Sequence, residues 1–173
     1  MKHYSIVYSS HTGNTAILAQ KIRTALPQEL CDYFGEPDDR ALESPVLFVG
    51  FWTDKGTCCQ EIGEFLKKLR GKQVFLFGTA GFGENDAYFR QILSRVQSLL
   101  PEDSRLAGSF MCQGKMPMAV RNRYESMLSS DPERMKHMIE NFDRALFHPN
   151  SSDLDQLEEA VLMPGLLQDS PEA

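Results

Sequence analysis

Six consecutive residues, Ser10-His11-Thr12-Gly13-Asn14-Thr15, place three hydroxyls, an imidazole, an amide and one glycine between an apolar segment and a helical pattern. A turn of this composition at the start of a helix suits an anion. The first N–H groups of a helix lack intrahelical partners, and the helix dipole favours negative charge at that end. Ser10, Thr12, Asn14 and Thr15 can add side-chain donors, and Gly13 permits backbone geometry that a Cβ would hinder. No lysine or arginine lies between Ser5 and Gln20, so a phosphate here would be held by neutral donors. The Gly-Lys-Ser/Thr ending of a Walker loop and the three spaced glycines of a dinucleotide fingerprint are both missing. One such serine or threonine alone reads as a helix cap; six small polar residues together argue for a site.

Two later segments carry complementary chemistry. Trp52-Thr53-Asp54-Lys55-Gly56 and Thr79-Ala80-Gly81-Phe82-Gly83 each follow a strongly apolar run and join an aromatic residue to glycine and hydroxyl residues. Trp52, the single tryptophan, and Phe82 could sandwich a flat ring, with offset stacking adding about 0.5–1.5 kcal/mol beyond area burial. Gly56, Gly81 and Gly83 let backbone amides approach the ring edge, where hydrogen bonding tunes electronics. Together the three segments suit a planar aromatic ligand with a phosphate tail.

The other reactive residues are dispersed. Cys31, Cys58, Cys59 and Cys112 contain no Cys-x-x-Cys pair, and reduced thiols are expected. Cys58 and Cys59 fall where a helix is expected to begin, a position that can lower a thiol pKa. His3, His137 and His148 lack metal-ligand spacing. His11 is placed either to tune a bound ring or donate a proton to it, or to stand as exposed filler. Lys55, Lys115, Arg121 and Arg123 suit a basic rim for an anionic substrate or an acidic partner, the alternative being a solvated helix face. No Ser/His/Asp set and no paired carboxylates stand out.

Hydrophobic periodicity supplies the elements that must position these groups. Apolar runs predict strands over 2–9, 29–34, 45–51, 72–78 and 104–112. Helical spacing predicts helices over 14–26, 59–69, 86–100, 119–128, 131–147 and 154–162, with Asp131-Pro132-Glu133 as a start signal and Ser152 or Asp153 capping the last. Strands alternating with helices at this spacing make an α/β domain with a doubly wound parallel sheet, helices on both faces. Ligands of such sheets gather beyond the carboxyl ends of the strands, where the three segments fall. A single domain over 1–163 is expected, with a helical insertion at 114–147 after the fifth strand and a flexible tail at 164–173.

Composition narrows the function further. The chain has 173 residues and a formal charge of −6, which argues against nucleic acid or an anionic membrane as the main partner. No apolar run reaches membrane-spanning length, and a cytoplasmic protein is expected.

Ser10 to Thr15 resembles the flavodoxin phosphate loop, serine/threonine-x-threonine-glycine-asparagine-threonine. Thr79 to Gly83 resembles that family's second ring-contacting loop, and Trp52 falls in the first, where flavodoxins often present an aromatic. The resemblance spans residues 2–112. It implies a five-stranded sheet of order 2-1-3-4-5, non-covalent FMN held by the three segments, and single-electron or hydride redox chemistry. A small flavodoxin passes almost directly from its fifth strand to its last helix, whereas here residues 114–147 intervene. Phe110 to Pro117, Val120 to Glu125 and His148-Pro149-Asn150 with Asp153-Leu154 are similar to a subgroup of flavodoxin-like proteins of anaerobic bacteria. That similarity implies an accessory flavoprotein of bilirubin reduction to urobilinogen, an electron carrier with a redox partner protein. A reductase acting directly on a quinone or tetrapyrrole under the insertion is one alternative, and a flavin-free scaffold for a reductase is another.

Overall fold

The buried apolar runs pair side by side. The computed structural model describes residues 1–83 and 85–169. Its strands are β1 (Tyr4–Tyr8), β2 (Cys31–Gly35), β3 (Val46–Asp54), β4 (Thr57–Cys58), β5 (Gln73–Ala80) and β6 (Arg105–Gln113). Five of them form a parallel sheet in the order β2-β1-β3-β5-β6. This is the expected 2-1-3-4-5 order, with one addition. The two-residue β4 folds back antiparallel on the end of β3, pairing Thr53 with Cys58 and Asp54 with Thr57. That hairpin extends β3 beyond the expected end at 51, and the helix expected over 59–69 is shorter, α2 (Gln60–Leu66), its end tightening into i→i−3 bonds at Lys68 and Leu69.

Central strands are covered on both sides, which is why they read as continuous apolar runs rather than alternations. Helices α1 (Asn14–Ala25) and α6 (Ser151–Leu162) lie on one face, where Leu18, Ile22, Leu157 and Val161 pack against Ile6, Phe48, Phe75 and Phe77. On the other, α2 and α3 (Asp86–Gln97) bring Ile62, Leu66, Ile92 and Val96 onto Val7, Val49, Phe51 and Leu76. Neighbouring strand residues thus serve opposite cores, as the two-residue period requires.

The insertion is a helical pair, α4 (Met118–Ser126) and α5 (Pro132–Ala145). It has a small core of its own, in which Tyr124, Met135 and Phe142 are buried among Met116, Val120, Leu128, Met138 and Ile139. Arg121 joins the pair: its guanidinium donates to both Asp143 carboxylate oxygens at 2.9 and 3.1 Å and also meets Glu125. The last helix starts earlier than expected and is capped by Asn150, not by Ser152 or Asp153. The Asn150 side chain accepts the Asp153 N–H while the Asp153 carboxylate accepts the Asn150 N–H, a reciprocal capping box.

The expected tail is docked as far as Asp169. Leu166 and Leu167 are buried in the α1/α6 core, and the Leu167 carbonyl accepts the Lys2 N–H at 2.7 Å. Burying two leucines outweighs the fraying expected of a terminus. Residues 170–173, the rest of that segment, lie outside the described residues. No helix among the described residues is long and apolar enough to cross a membrane.

Candidate functional site

The turn between β1 and α1 has the form its composition predicts. Gly13 occupies the N-cap of α1 at φ +90°, a left-handed conformation that favours glycine. The space a Cβ would enter there is open to 4 Å. Ser10 Oγ accepts the Ala16 N–H at 3.2 Å, and the Gly13 carbonyl accepts that of Ile17 at 3.1 Å. Gly13 makes no side-chain cap bond, and with the Ala16 N–H taken by Ser10 the Asn14 and Thr15 N–H groups of the first turn are left for a ligand.

Two side chains expected as phosphate donors do other work. Thr15 is 1% exposed, and its hydroxyl donates to the Phe51 carbonyl at 3.2 Å beside Thr79 Oγ1 at 3.1 Å. Thr53 donates to the Thr79 carbonyl at 2.8 Å. These three threonines stitch the turn and the ends of β3 and β5 together, a scaffold role that consumes their hydroxyls. The Asn14 amide donates to Thr12 Oγ1 and to the Lys115 carbonyl, both at 2.9 Å, while its buried Oδ1 has no hydrogen-bond partner. Asn14 therefore offers an acceptor, complementary to a hydroxyl rather than to a phosphate oxygen.

A cavity of about 250 Å³ opens beside this turn. Its walls unite His11, Thr12 and Asn14 from the turn, Trp52 and Thr53 from β3, and Thr79, Ala80 and Gly81 from β5 and its end. Gly114, Lys115, Met116, Pro117 and Val120 complete it from the insertion side. Lys115 is thus the lining cation at a site whose phosphate turn is neutral. Of the pair expected to sandwich a ring, Trp52 lines this cavity and Phe82 does not. His11 stacks on Trp52 with ring centroids 5.0 Å apart and 29° between planes. The volume lies below the several hundred cubic ångströms common for cofactor sites.

The remaining expected residues stand around this cavity rather than in its wall. Ser10, Gly13 and Thr15 form the turn beneath it. Asp54, Lys55 and Gly56 make the tip of the β3–β4 hairpin, where Lys55 (φ 51°) and Gly56 (φ 82°) supply the positive φ angles of a tight turn. Arg95 holds that tip from α3, donating to the Gly56 carbonyl at 2.9 Å. Phe82 is half-buried, and Gly83 lines a second, larger cavity of about 630 Å³ with Gln113, Asp143, Arg144, Phe147 and His148. Of the expected basic rim, Lys115 lines the site, Lys55 is at the hairpin tip, Arg123 is exposed on α4, and Arg121 is committed to its carboxylates. Sequence reasoning missed Gly114, Met116, Pro117 and Val120 as lining residues. The carboxyl-end rule, applied to β6 as to β1, β3 and β5, would have found the first three.

The thiols are not activated. Cys58 lies in β4 and Cys59 at the N-cap of α2, both buried. Burial pushes the Cys58 thiol up to about 11 and raises that of Cys59, overcoming any lowering at the helix start.

A parallel doubly wound sheet whose first turn is an uncapped helix N-terminus, with aromatic and glycine residues at the next two strand ends, defines a flavodoxin-like protein. The flavodoxin domain model matches residues 5–162, and the chain belongs to the flavodoxin family. Over 179 aligned residues it is 43% identical to the flavodoxin-like domain-containing protein BilS of Clostridium symbiosum (strain WAL-14163), the match covering 92% of this chain and 94% of that protein. Oxidised flavodoxin 2 from Bacillus cereus superposes with a TM-score of 0.56 at 15% identity, covering 91% of this chain and 93% of the other. The Fusobacterium nucleatum flavodoxin bound to flavin mononucleotide superposes at 0.50 with 18% identity, over 64% and 72%. At such identities the structural likeness shows the shared fold.

Proposed function

We propose that this chain is an FMN-binding electron-transfer protein of the cytoplasm that feeds electrons to a partner reductase in the reduction of bilirubin to urobilinogen. The turn at 10–15 carries the cofactor reading: a left-handed Gly13 with open space above it begins an uncapped helix, ringed by neutral hydroxyls. Those features fit a phosphate monoester, and the unpartnered Asn14 Oδ1 suits a hydroxyl of the chain joining phosphate to ring. Ser10, Thr12 and the first N–H groups of α1 would hold the phosphate; Trp52, Gly81 and Met116 would flank the ring. When bound, FMN supplies one-electron or hydride transfer. The protein's own residues bind and orient it and keep water from it, with Met116 and Pro117 of the insertion forming one wall. The bilirubin pathway rests on the similarity to BilS and on the subgroup's segments at 110–125 and 148–154.

A second reading, a reductase acting directly on its substrate, is favoured by the cavity of about 630 Å³ that Gly83 shares with the insertion. Stopped-flow reduction by NAD(P)H, with and without the partner, separates the two. A carrier is reduced quickly only through the partner; substrate turnover without it supports the reductase. The cofactor has its own test. Losing a hydrogen bond to a charged group costs about 1.5–3 kcal/mol, so Thr12→Val should weaken FMN roughly tenfold or more, and Gly13→Val should weaken it as well. Undiminished affinity in both variants refutes the assignment.

A further inference from the structure

The insertion grips the ring-facing loop through a polar contact that the flavodoxin pattern does not require. The Gly81 carbonyl accepts two amide donors, Gln113 Nε2 at 2.9 Å and Asn141 Nδ2 at 3.0 Å. Gln113 Nε2 also donates to Asn141 Oδ1 at 3.0 Å, so the three groups close a ring. Asn141 is 3% exposed on α5, next to the fully buried Phe142. An amide buried there is costly unless its hydrogen bonds are used, and here they are used on the site. From another side Met116 Sδ lies 2.5 Å from where a Cβ of Gly81 would stand, so a side chain there would push Met116 aside.

We propose that Asn141 is a positioning residue for the ring-facing loop, acting with Gln113 through the Gly81 carbonyl. A peptide unit is planar and trans, so fixing that carbonyl fixes the Phe82 N–H on the opposite side. Rotating the peptide would exchange donor for acceptor at the edge of the cavity Gly81 lines, and two amide donors oppose that rotation. The insertion thereby sets hydrogen-bonding character at the ring edge. This consequence for the cofactor rests on the FMN reading above; the clamp itself does not.

Hydrogen exchange on the full chain without added flavin tests the clamp. Asn141→Leu keeps the branched shape and removes the donor; Gln113→Leu removes the other donor and serves if the first variant does not fold. Amides of residues 82 and 83 should exchange about tenfold faster, the order expected for losing one buried hydrogen bond, with β1 and α1 unchanged. Met163→Ala, at a residue 78% exposed, should leave them as they were. With flavin added, FMN and riboflavin should weaken by the same factor, because the phosphate turn is untouched, and the FMN midpoint potential should shift. Unchanged exchange at 82 and 83, or weakening of FMN alone with riboflavin unaffected, overturns the proposal. A protein that takes up no flavin sinks the function proposed above, while the exchange result still decides the clamp.

Discussion

Trp52 and His11 meet because β3 runs past its expected end and the phosphate turn folds over it. As the chain's single tryptophan, Trp52 supplies all of the chain's tryptophan emission from this one position. His11→Ala should change its emission spectrum while leaving circular dichroism as in the parent; an unchanged spectrum would show that the stack is not populated in solution. If Trp52 flanks the ring, Trp52→Leu should cost about 0.5–1.5 kcal/mol of stacking, a two- to tenfold weaker FMN complex by titration. The thiols supply a prediction of opposite sense. With the Cys58 thiol pushed up to about 11 by burial, about one part in a thousand is thiolate at pH 8. Cys58, Cys59 and Cys112, all buried, should resist a disulfide-exchange reagent in the native protein and react fully in denaturant.

Among the elements, the insertion is the part that departs from a small flavodoxin, and two interactions support it. Phe142 is fully buried between α4 and α5. Phe142→Ala should cost about 3–5 kcal/mol, seen as loss of exchange protection in α4 and α5 with β1, β3 and β5 still protected. The Arg121 guanidinium holds the Asp143 carboxyl below the usual carboxylate range. A lowered carboxyl pKa stabilises the folded state above the unfolded group's value, and that contribution is lost as pH falls through the folded one. The pair is largely exposed, so the effect is small. Urea midpoints should nevertheless fall less on acidification in Arg121→Met than in the parent protein; parallel curves would discount the pair.

At the scale of the whole molecule, two cores press on opposite faces of one sheet, and the carboxyl edge of that sheet is left for chemistry. The insertion then adds Lys115, Met116 and Pro117 to that edge and a larger cavity behind Gly83. The chain's visible spectrum after addition of FMN is the broadest test of the proposed function. Bound-flavin absorbance that survives gel filtration is expected; a colourless protein would remove both redox readings together.

The strands, the two helical layers and the turn at 10–15 were legible in the sequence, because they depend on local patterns, while the strand order came from the resemblance to flavodoxins. Buried parallel strands read as continuous apolar runs, helices show their period, and the turn residues are contiguous. Side-chain employment was not legible, because it depends on partners far away in the chain. Thr15 reads as a ligand donor until Phe51 and Thr79 arrive beside it from 36 and 64 residues away. Asn141 reads as one polar residue on an amphipathic helix until folding brings it to Gly81, 60 residues earlier. Sequence alone determined that residues 10–15 form a polar turn opening a helix, with the composition suited to an anion, since six neighbours and a helix start suffice for it. Only the tertiary structure decided which of those donors remain for a ligand and that the insertion closes the site, because hydrogen bonds between distant residues exist only once the sheet has assembled.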